Sequence, residues 1–211
     1  MLEDLKDSNL KIVGIAGPGD PLSDPDKLLA FISGLRKRFG NMYEVCISTN
    51  GLNAYRYTKQ LKELEVNYMT LTINSIDVSI LEELVEWVHV DGITYKGKEA
   101  AKRLNEAQMK SLRSVVESGM TCKVNTVIVP DVNQYELINL IHFIKQAGAV
   151  KSNLIPLIPV KGTRFGKIHT LSVREYNDIF YEAGQILAQV KGCKKCRADA
   201  MYIHTAERAD A

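Results

Sequence analysis

The chain has 211 residues, of which 45% are hydrophobic and 25% are charged, and its formal net charge is +2. This composition is typical of a globular protein with enough chain for one substantial core. The near-neutral charge gives no support for nucleic-acid binding, and no apolar stretch approaches the length of a membrane span. The N-terminus lacks the apolar core of a signal peptide, so we expect a cytoplasmic protein whose four cysteines are thiols or metal ligands.

From residue 11 onward, apolar runs typical of strands alternate with amphipathic runs typical of helices. The predicted strands span residues 11–16, 43–48, 68–73, 121–129 and 153–158. The predicted helices span residues 24–39, 55–65, about 78–88, 98–118, 134–147 and 172–190, the last with Ser172 as its N-cap. Strands that alternate with helices in this way favour an α/β fold, a parallel sheet or barrel built from βαβ units.

Glycine and polar residues collect where the predicted strands end. The first strand runs into Gly-Pro-Gly-Asp-Pro at 17–21, a turn in which glycine lets backbone groups approach a ligand closely. Ser-Thr-Asn-Gly follows at 48–51, and further polar segments occupy 72–77 and 156–163. Each of these segments also has an ordinary structural explanation as a turn. Their collection at one edge of a parallel sheet, where ligands bind in such folds, favours a binding site.

Lys123 and Asn125 lie inside the fourth predicted strand. Their alternation places both side chains on the same face. A buried lysine and asparagine are costly on a central strand unless they meet a ligand or a partner. The pair therefore extends the predicted binding site along this strand.

Cys193 and Cys196 form a Cys-x-x-Cys pair near the C-terminus. Such a pair is a redox dithiol, half of a zinc site or a pair of iron–sulfur ligands. A redox pair normally opens a helix early in its domain, whereas this pair follows a helix near the end of the chain. Cys46 and Cys122 lie inside predicted strands, and we interpret them as small buried hydrophobic residues. The sequence thus predicts half of a metal site.

Taken in order, these segments resemble the NifB family of radical S-adenosylmethionine (SAM) enzymes, which act in nitrogenase cofactor assembly. The resemblance covers about residues 11–203. The segments that carry it are 14–22, 46–52, 71–74, 123–130, 153–159 and 193–200. The most specific of them is the ending Cys-Lys-Lys-Cys-Arg-Ala-Asp-Ala. The resemblance implies a partial (βα)6 barrel of the radical SAM type that lacks its first βα unit.

The resemblance also implies a SAM site at the strand ends. The implied cofactor-binding residues are Gly17, Gly19, Asp20, Ser48, Asn50, Lys123, Asn125, Pro156 and Leu157. Gly17, Gly19 and Asp20 match the loop that holds the amino-acid end of SAM. Ser48 and Asn50 match the loop that follows the next strand. Lys123 and Asn125 match a strand that faces the ribose and carboxylate of SAM. Pro156 and Leu157 match positions beside the adenine. Cys193 and Cys196 match ligands of an auxiliary iron–sulfur cluster that is a precursor substrate.

The chain departs from the family pattern in two respects. It contains no Cys-x-x-x-Cys-x-x-Cys loop, which in the family binds the [4Fe–4S] cluster that cleaves SAM, and it has Ser75 where the family often has cysteine. The simplest interpretation is an N-terminally truncated NifB-type chain that is inactive alone. In this interpretation residues 1–211 form a single incomplete radical SAM domain, with 191–211 as a C-terminal cluster-ligand segment. A divergent paralogue that has lost the chemistry is the alternative.

For the full-length parent, the resemblance implies fusion of two [4Fe–4S] units with insertion of a carbide carbon from SAM and of a sulfur. The expected partners are the iron–sulfur cluster donor and cofactor carrier proteins of nitrogenase assembly, with neither nucleic acid nor membrane among them. Two other functions remain open. One is a non-catalytic iron–sulfur carrier or scaffold that uses Cys193 and Cys196 alone. The other is a radical SAM enzyme of the molybdenum-cofactor cyclase type, against which the Cys-x-x-Cys-Arg-Ala-Asp-Ala ending argues.

Overall fold

A computed structural model describes residues 11–190 of the chain. The strands are β1 (Ile12–Ile15), β2 (Glu44–Thr49), β3 (Tyr68–Thr72), β4 (Trp87–Val90), β5 (Ile93–Lys96), β6 (Thr121–Ile128) and β7 (Lys151–Pro156). The α-helices are α1 (Pro25–Phe39), α2 (Ala54–Glu63), α3 (Val78–Leu84), α4 (Gly97–Glu117), α5 (Leu137–Gln146) and α6 (Val173–Ile186). Ser172 caps α6 as predicted, since its hydroxyl accepts a hydrogen bond from the backbone N–H of Glu175.

The main sheet has five strands in the order β1-β2-β3-β6-β7, and all of its strand pairs are parallel. The predicted α/β fold is therefore confirmed. Each crossover between neighbouring parallel strands contains at least one helix, as a parallel connection requires. All five carboxyl ends consequently lie at one edge of the sheet, which we call the carboxyl edge.

The helices pack against one face of this sheet and form the core. The core side chains of the strands include Val45, Ile47, Leu71 and Val124, each with 0% exposure. They belong to one apolar cluster with leucine and isoleucine side chains of α1, α2, α4 and α5. Burial of this apolar surface is the main stabilising contribution to the fold.

The opposite face of the sheet, here called the open face, is polar. Register places Ser48, Thr70, Lys123 and Lys151 in one row across four strands. Parallel sheets are usually apolar on both faces because both are covered by packing. A polar face on the same sheet is instead suited to contact with water or a polar ligand.

The helix predicted at 78–88 is too long at its C-terminal end. The helix ends at Leu84, and β4 and β5 form an antiparallel hairpin. Its turn contains Asp91 and Gly92, with φ angles of 52° and 76°, as a two-residue type I′ turn requires. The helix predicted at 172–190 was also too long, because it ends at Ile186 and Gln189 forms a bridge to Ser152 at the edge of β7.

The hairpin is fixed to the body of the protein on both sides. Val88 packs with Leu52 and Leu104 in a small apolar cluster against α4. Arg56 of α2 donates two hydrogen bonds, of 2.6 and 2.7 Å, to the carboxylate of Asp91 in the turn. No helix within residues 11–190 is long and apolar enough to cross a membrane.

Candidate functional site

A cleft of about 350 Å³ lies at the carboxyl edge, over the ends of β1, β2 and β3. Its lining residues are Ala16, Gly17, Gly19, Asp20, Ser48, Thr49, Asn50 and Thr72. The structure thus brings the predicted residues of the first two strand ends together around one cavity. The volume is in the lower part of the range typical of small-molecule sites.

Two glycines shape the first loop of the cleft. Gly17 and Gly19 have φ angles of 56° and 81°, a region that side chains with a Cβ rarely adopt. At Gly19 there is also no heavy atom within 4 Å of the position that a Cβ would occupy. Backbone conformation, rather than crowding, therefore accounts for glycine at position 19.

Asp20 joins the first loop to the end of β2. Its carboxylate accepts hydrogen bonds from the backbone N–H of Leu22 at 2.9 Å and of Asn50 at 2.6 Å. It also accepts the hydroxyl of Thr49, at 3.0 Å to Oδ1 and 2.9 Å to Oδ2. These contacts hold the two loops of the cleft together, so Asp20 acts on the site by positioning its walls.

We expect Asp20→Ala to lower the free energy of unfolding by about 2 kcal/mol, because three donors would lose a charged acceptor. Asp20→Asn keeps one acceptor oxygen, and we expect about half of that loss. Urea unfolding followed by circular dichroism measures both values. Asp26→Asn in the first turn of α1 is the matched control, since Asp26 is exposed and should change stability by less than about 0.5 kcal/mol. An Asp20→Ala variant as stable as this control would contradict the role assigned to Asp20.

The second loop of the cleft is an Asn-Gly turn that follows β2. The side-chain oxygen of Asn50 accepts the backbone N–H of Leu52 at 2.8 Å. Gly51 has a φ of 82°, and a Cβ at this position would lie 3.2 Å from Cγ of Gln108. Glycine is needed here for both conformation and space.

Lys123 and Asn125 lie on the open face, as their alternation predicts. Asn125 is in register with Thr72, which lines the cleft, and its side-chain oxygen accepts Nδ2 of Asn153 at 3.3 Å. Lys123 is in register with Thr70 and forms no salt bridge within the described residues. Both side chains therefore extend the polar surface of the cleft across β3 and β6.

Pro156 and Leu157 lie at the carboxyl end of β7, two strands beyond β3 in the sheet. The backbone N–H of Leu157 donates to the carbonyl of Ile128 at 3.0 Å, which ties the end of β7 to the end of β6. These two residues share the carboxyl edge with the cleft but are not among its lining residues.

Ser75, the position at which the resemblance predicts cysteine, is fully buried. Its hydroxyl donates to the carboxylate of Glu136, which also accepts the backbone N–H of Ile76 at 3.1 Å. The backbone N–H of Asp77 donates to the same hydroxyl at 2.9 Å. In this chain the side chain of residue 75 thus organises the loop after β3.

The predicted metal ligands, Cys193 and Cys196, lie outside the described residues 11–190. Within the described part of the chain, no three histidine, cysteine or acidic side chains are grouped so that they could hold a metal ion. Cys122 is 1% exposed, which confirms its interpretation as a buried small residue. Cys46 is only partly buried and lies on the open face, with Sγ 3.7 Å from the hydroxyl of Thr70.

Burial raises the pKa of the Cys122 thiol to about 12. Since the thiolate is the nucleophile, we expect iodoacetamide at about pH 8.5 to modify Cys122 at least tenfold more slowly than Cys46. An unfolded chain loses this proton near pH 8.5. The contribution of Cys122 to the free energy of unfolding is therefore constant below that pH and declines as the pH rises toward 12. Mass spectrometry of the peptides gives the rates at which iodoacetamide modifies Cys46 and Cys122. In urea, where the chain is unfolded, the two rates should be equal. Equal rates in the folded protein would contradict the burial of Cys122.

Two residues that shape the cleft are not among the predicted cofactor-binding residues: Thr49, which lies inside the polar segment 48–51, and Gln108. The hydroxyl of Thr49 donates to Asp20. The side-chain amide of Gln108, on α4, donates to the carbonyls of Asn50, in the turn after β2, and of Thr72, the last residue of β3. One sequence signal points to Gln108. It lies four residues after Leu104 and four before Leu112, on the buried stripe of an amphipathic helix where a polar residue is unusual.

A family model described as the radical SAM superfamily matches residues 1–144 of the chain. The match covers more than half of the chain, so the chain belongs to the radical SAM superfamily.

The chain is also similar to proteins named FeMo cofactor biosynthesis protein NifB. It is 37% identical over 195 residues to the NifB of Chlorobaculum tepidum, a match that covers 92% of this chain and 46% of that protein. It is 36% identical over 193 residues to the NifB of Methanocaldococcus infernus, with 92% of this chain and 62% of that protein covered. The resemblance predicted from the strand-end segments is confirmed. The chain spans less than two thirds of the length of either relative.

Among solved structures, methylornithine synthase (PylB) shares the fold with a TM-score of 0.55 and 14% sequence identity. The likeness covers 86% of this chain and 51% of that chain. At this identity it concerns the fold alone.

Proposed function

We propose that the cleft at the carboxyl edge binds SAM, and that this chain is the cofactor-binding part of a NifB-type enzyme of nitrogenase cofactor assembly. The observation that carries the proposal is that the cleft is lined by Gly17, Gly19, Asp20, Ser48 and Asn50. These residues come from the loop after β1 and from the end of β2 with the turn that follows it, about 30 residues apart in sequence, and the family resemblance assigns both segments to SAM. Membership of the radical SAM superfamily supports the same ligand.

The donor set of the cleft fits the polar end of SAM. Backbone groups of the glycine loop and the Ser48 hydroxyl are suited to the amino and carboxylate groups of a methionine moiety. Lys123 and Asn125, on the adjoining open face, supply a cation and an amide for the carboxylate and ribose. Pro156 and Leu157 offer apolar surface for the adenine at the same sheet edge. In this proposal Asp20, which lines the cleft, also holds its two loops together.

The described residues do not fit the [4Fe–4S] cluster that would reduce SAM. A cluster with one open iron needs three thiolates, which in this superfamily come from a single loop. The four cysteines of the chain are at 46, 122, 193 and 196, and the first two lie on opposite faces of the main sheet, in β2 and β6. We therefore assign no catalytic step to this chain. Cys193 and Cys196 remain proposed ligands of an auxiliary cluster that is a substrate of the assembly reaction.

The reaction that we propose for the whole protein is the one implied by the NifB resemblance. Two [4Fe–4S] units are joined, with a carbide carbon derived from SAM and an added sulfur, into the precursor of the iron–molybdenum cofactor. Cluster donor and cofactor carrier proteins are the corresponding proposed partners. Similarity to NifB over 92% of the chain supports this assignment.

Isothermal titration calorimetry of the iron-free chain with SAM tests the proposal. We expect weak binding, with a micromolar or weaker dissociation constant, because the iron-free chain offers no metal to chelate the methionine end. Asn125→Ala should weaken binding further, by about tenfold. The matched control is Thr121→Ala, which changes the same face of the same strand at its amino end.

Two results would contradict the proposal. Absence of any binding at millimolar SAM would contradict the assignment of the cleft. Equal loss of affinity in Asn125→Ala and Thr121→Ala would show that the effect is not confined to the carboxyl edge. A sub-micromolar dissociation constant would leave the site in place but contradict the expected dependence on the metal.

A further inference from the structure

Gln108, on helix α4, is a buried side chain that bridges the turn after β2 and the carboxyl end of β3. It is 3% exposed, and its Nε2 donates to the backbone carbonyl of Asn50 at 2.9 Å and of Thr72 at 2.8 Å. Both acceptors line the cleft, and they follow or end different strands, β2 and β3. One nitrogen atom thus joins the carboxyl ends of two adjacent strands.

The chemistry of this bridge requires a primary amide. Both neighbours are carbonyl oxygens, which only accept, so the –NH₂ group of Gln108 must face them. Its two N–H groups are sufficient for one bond to each carbonyl. An ionised glutamate cannot donate, and a methionine of similar size would leave both carbonyls unpaired.

The orientation of the Gln108 side chain leaves its amide oxygen without a hydrogen-bond partner among the described residues. Oε1 of Gln108 is buried and has no hydrogen-bond partner within residues 11–190. A buried acceptor without a partner is unfavourable, and such groups are uncommon in folded proteins. Packing alone does not explain an amide at this position, because a leucine or methionine would fill the same space.

Helix α4 gives the bridge a rigid support. One turn after Gln108, the buried Ser111 donates to the carbonyl of Gly51 at 2.6 Å and accepts the backbone N–H of Tyr55 at 3.0 Å. Gly51 itself packs closely against the side chain of Gln108. Two buried polar side chains one helical turn apart on α4, Gln108 and Ser111, therefore hold the Asn-Gly turn in place.

We propose that Gln108 is a positioning residue that sets the spacing of the β2 and β3 strand ends and thereby the affinity of the cleft for SAM. It acts through Asn50 and Thr72 and does not contact the ligand. The inference rests on the proposed SAM site and extends it to a residue of helix α4.

The test compares Gln108→Met with Ser114→Ala on the same helix. Ser114 lies near the end of α4 and bonds to Thr58 at 2.7 Å, so its loss removes a helix–helix hydrogen bond at a distance from the cleft. SAM affinity is measured by titration with NMR detection, and thermal unfolding of each variant gives its stability. We expect Gln108→Met to lose at least about tenfold in SAM affinity. We expect Ser114→Ala to bind within twofold of the unsubstituted chain despite a lower melting temperature.

Gln108→Asn is a second variant that keeps the amide but shortens its reach by one methylene group. It is expected to fold even if Gln108→Met does not, and to lose affinity in the same direction. Gln108 variants that bind SAM within twofold of the unsubstituted chain would overturn the inference. Loss of affinity in all variants in proportion to their melting temperatures would also overturn it. Failure of the unsubstituted chain to bind SAM would instead contradict the proposed function.

Discussion

Asn133→Ala is expected to lower the free energy of unfolding by about 3–5 kcal/mol, the largest effect that we predict for a single substitution. Asn133 is fully buried, and its Nδ2 donates to the carbonyls of Asn74 at 2.8 Å and Val127 at 2.9 Å. Its Oδ1 accepts the backbone N–H of Val129 at 2.8 Å. Alanine would leave these three backbone groups unpaired and create a cavity between the turn after β6 and the loop after β3.

The matched control is Asn105→Ala, which removes a single bond from a half-buried asparagine to the carbonyl of Ile76, with a length of 3.0 Å. Its expected cost is about 1 kcal/mol. Chemical denaturation of both variants gives the two free energies. If Asn133→Ala is no more destabilising than Asn105→Ala, the network does not hold the two strand ends together as described.

The second large effect concerns chemistry. We expect the 211-residue chain to form no 5′-deoxyadenosine from SAM, even after anaerobic reconstitution with iron and sulfide and reduction with dithionite. Electron transfer to the sulfonium needs a cluster with an open iron beside it, and the chain has no loop that contains three cysteines. Chromatography with mass detection measures the nucleoside against a control without protein.

Substitution of both Cys193 and Cys196 by alanine provides the control for that experiment. If the unsubstituted chain forms deoxyadenosine above background and the double variant does not, the Cys-x-x-Cys pair supplies a reducing cluster and the expectation is wrong. Formation of deoxyadenosine by both chains would also contradict it. Background levels of deoxyadenosine with both chains agree with the absence of a loop that contains three cysteines.

Much of the fold follows from local patterns in the sequence. The alternation of apolar strands with amphipathic helices predicts parallel strands, because each crossover is long enough for a helix. The hairpin β4–β5 was missed because Val78, Leu81, Val85 and Val88 repeat at a helical spacing. The Asp-Gly pair at 91–92, which lies between two runs of strand-forming residues, is the signal that should have outweighed that spacing.

The candidate site was predictable in part. The residues at strand ends share one edge of a parallel sheet, so Gly17, Ser48 and Asn50 are predicted to lie near one another from topology alone. Gln108 bonds from α4 to the turn after β2, whereas Asn133 lies in the turn after β6 and bonds to the loop after β3. Their roles depend on which backbone carbonyls lie within hydrogen-bond distance in three dimensions, and no sequence spacing specifies that.

Titration of the ¹⁵N-labelled chain with SAM, followed through the backbone amide signals, tests whether the carboxyl edge binds SAM. A SAM site at the carboxyl edge predicts that the signals of Gly17, Asn50 and Asn125 shift with a common dissociation constant. Gly119 and Gly148, which precede β6 and β7 at the opposite edge, should not move. Shifts confined to the opposite edge, or no shift at millimolar SAM, would contradict a SAM site at the carboxyl edge.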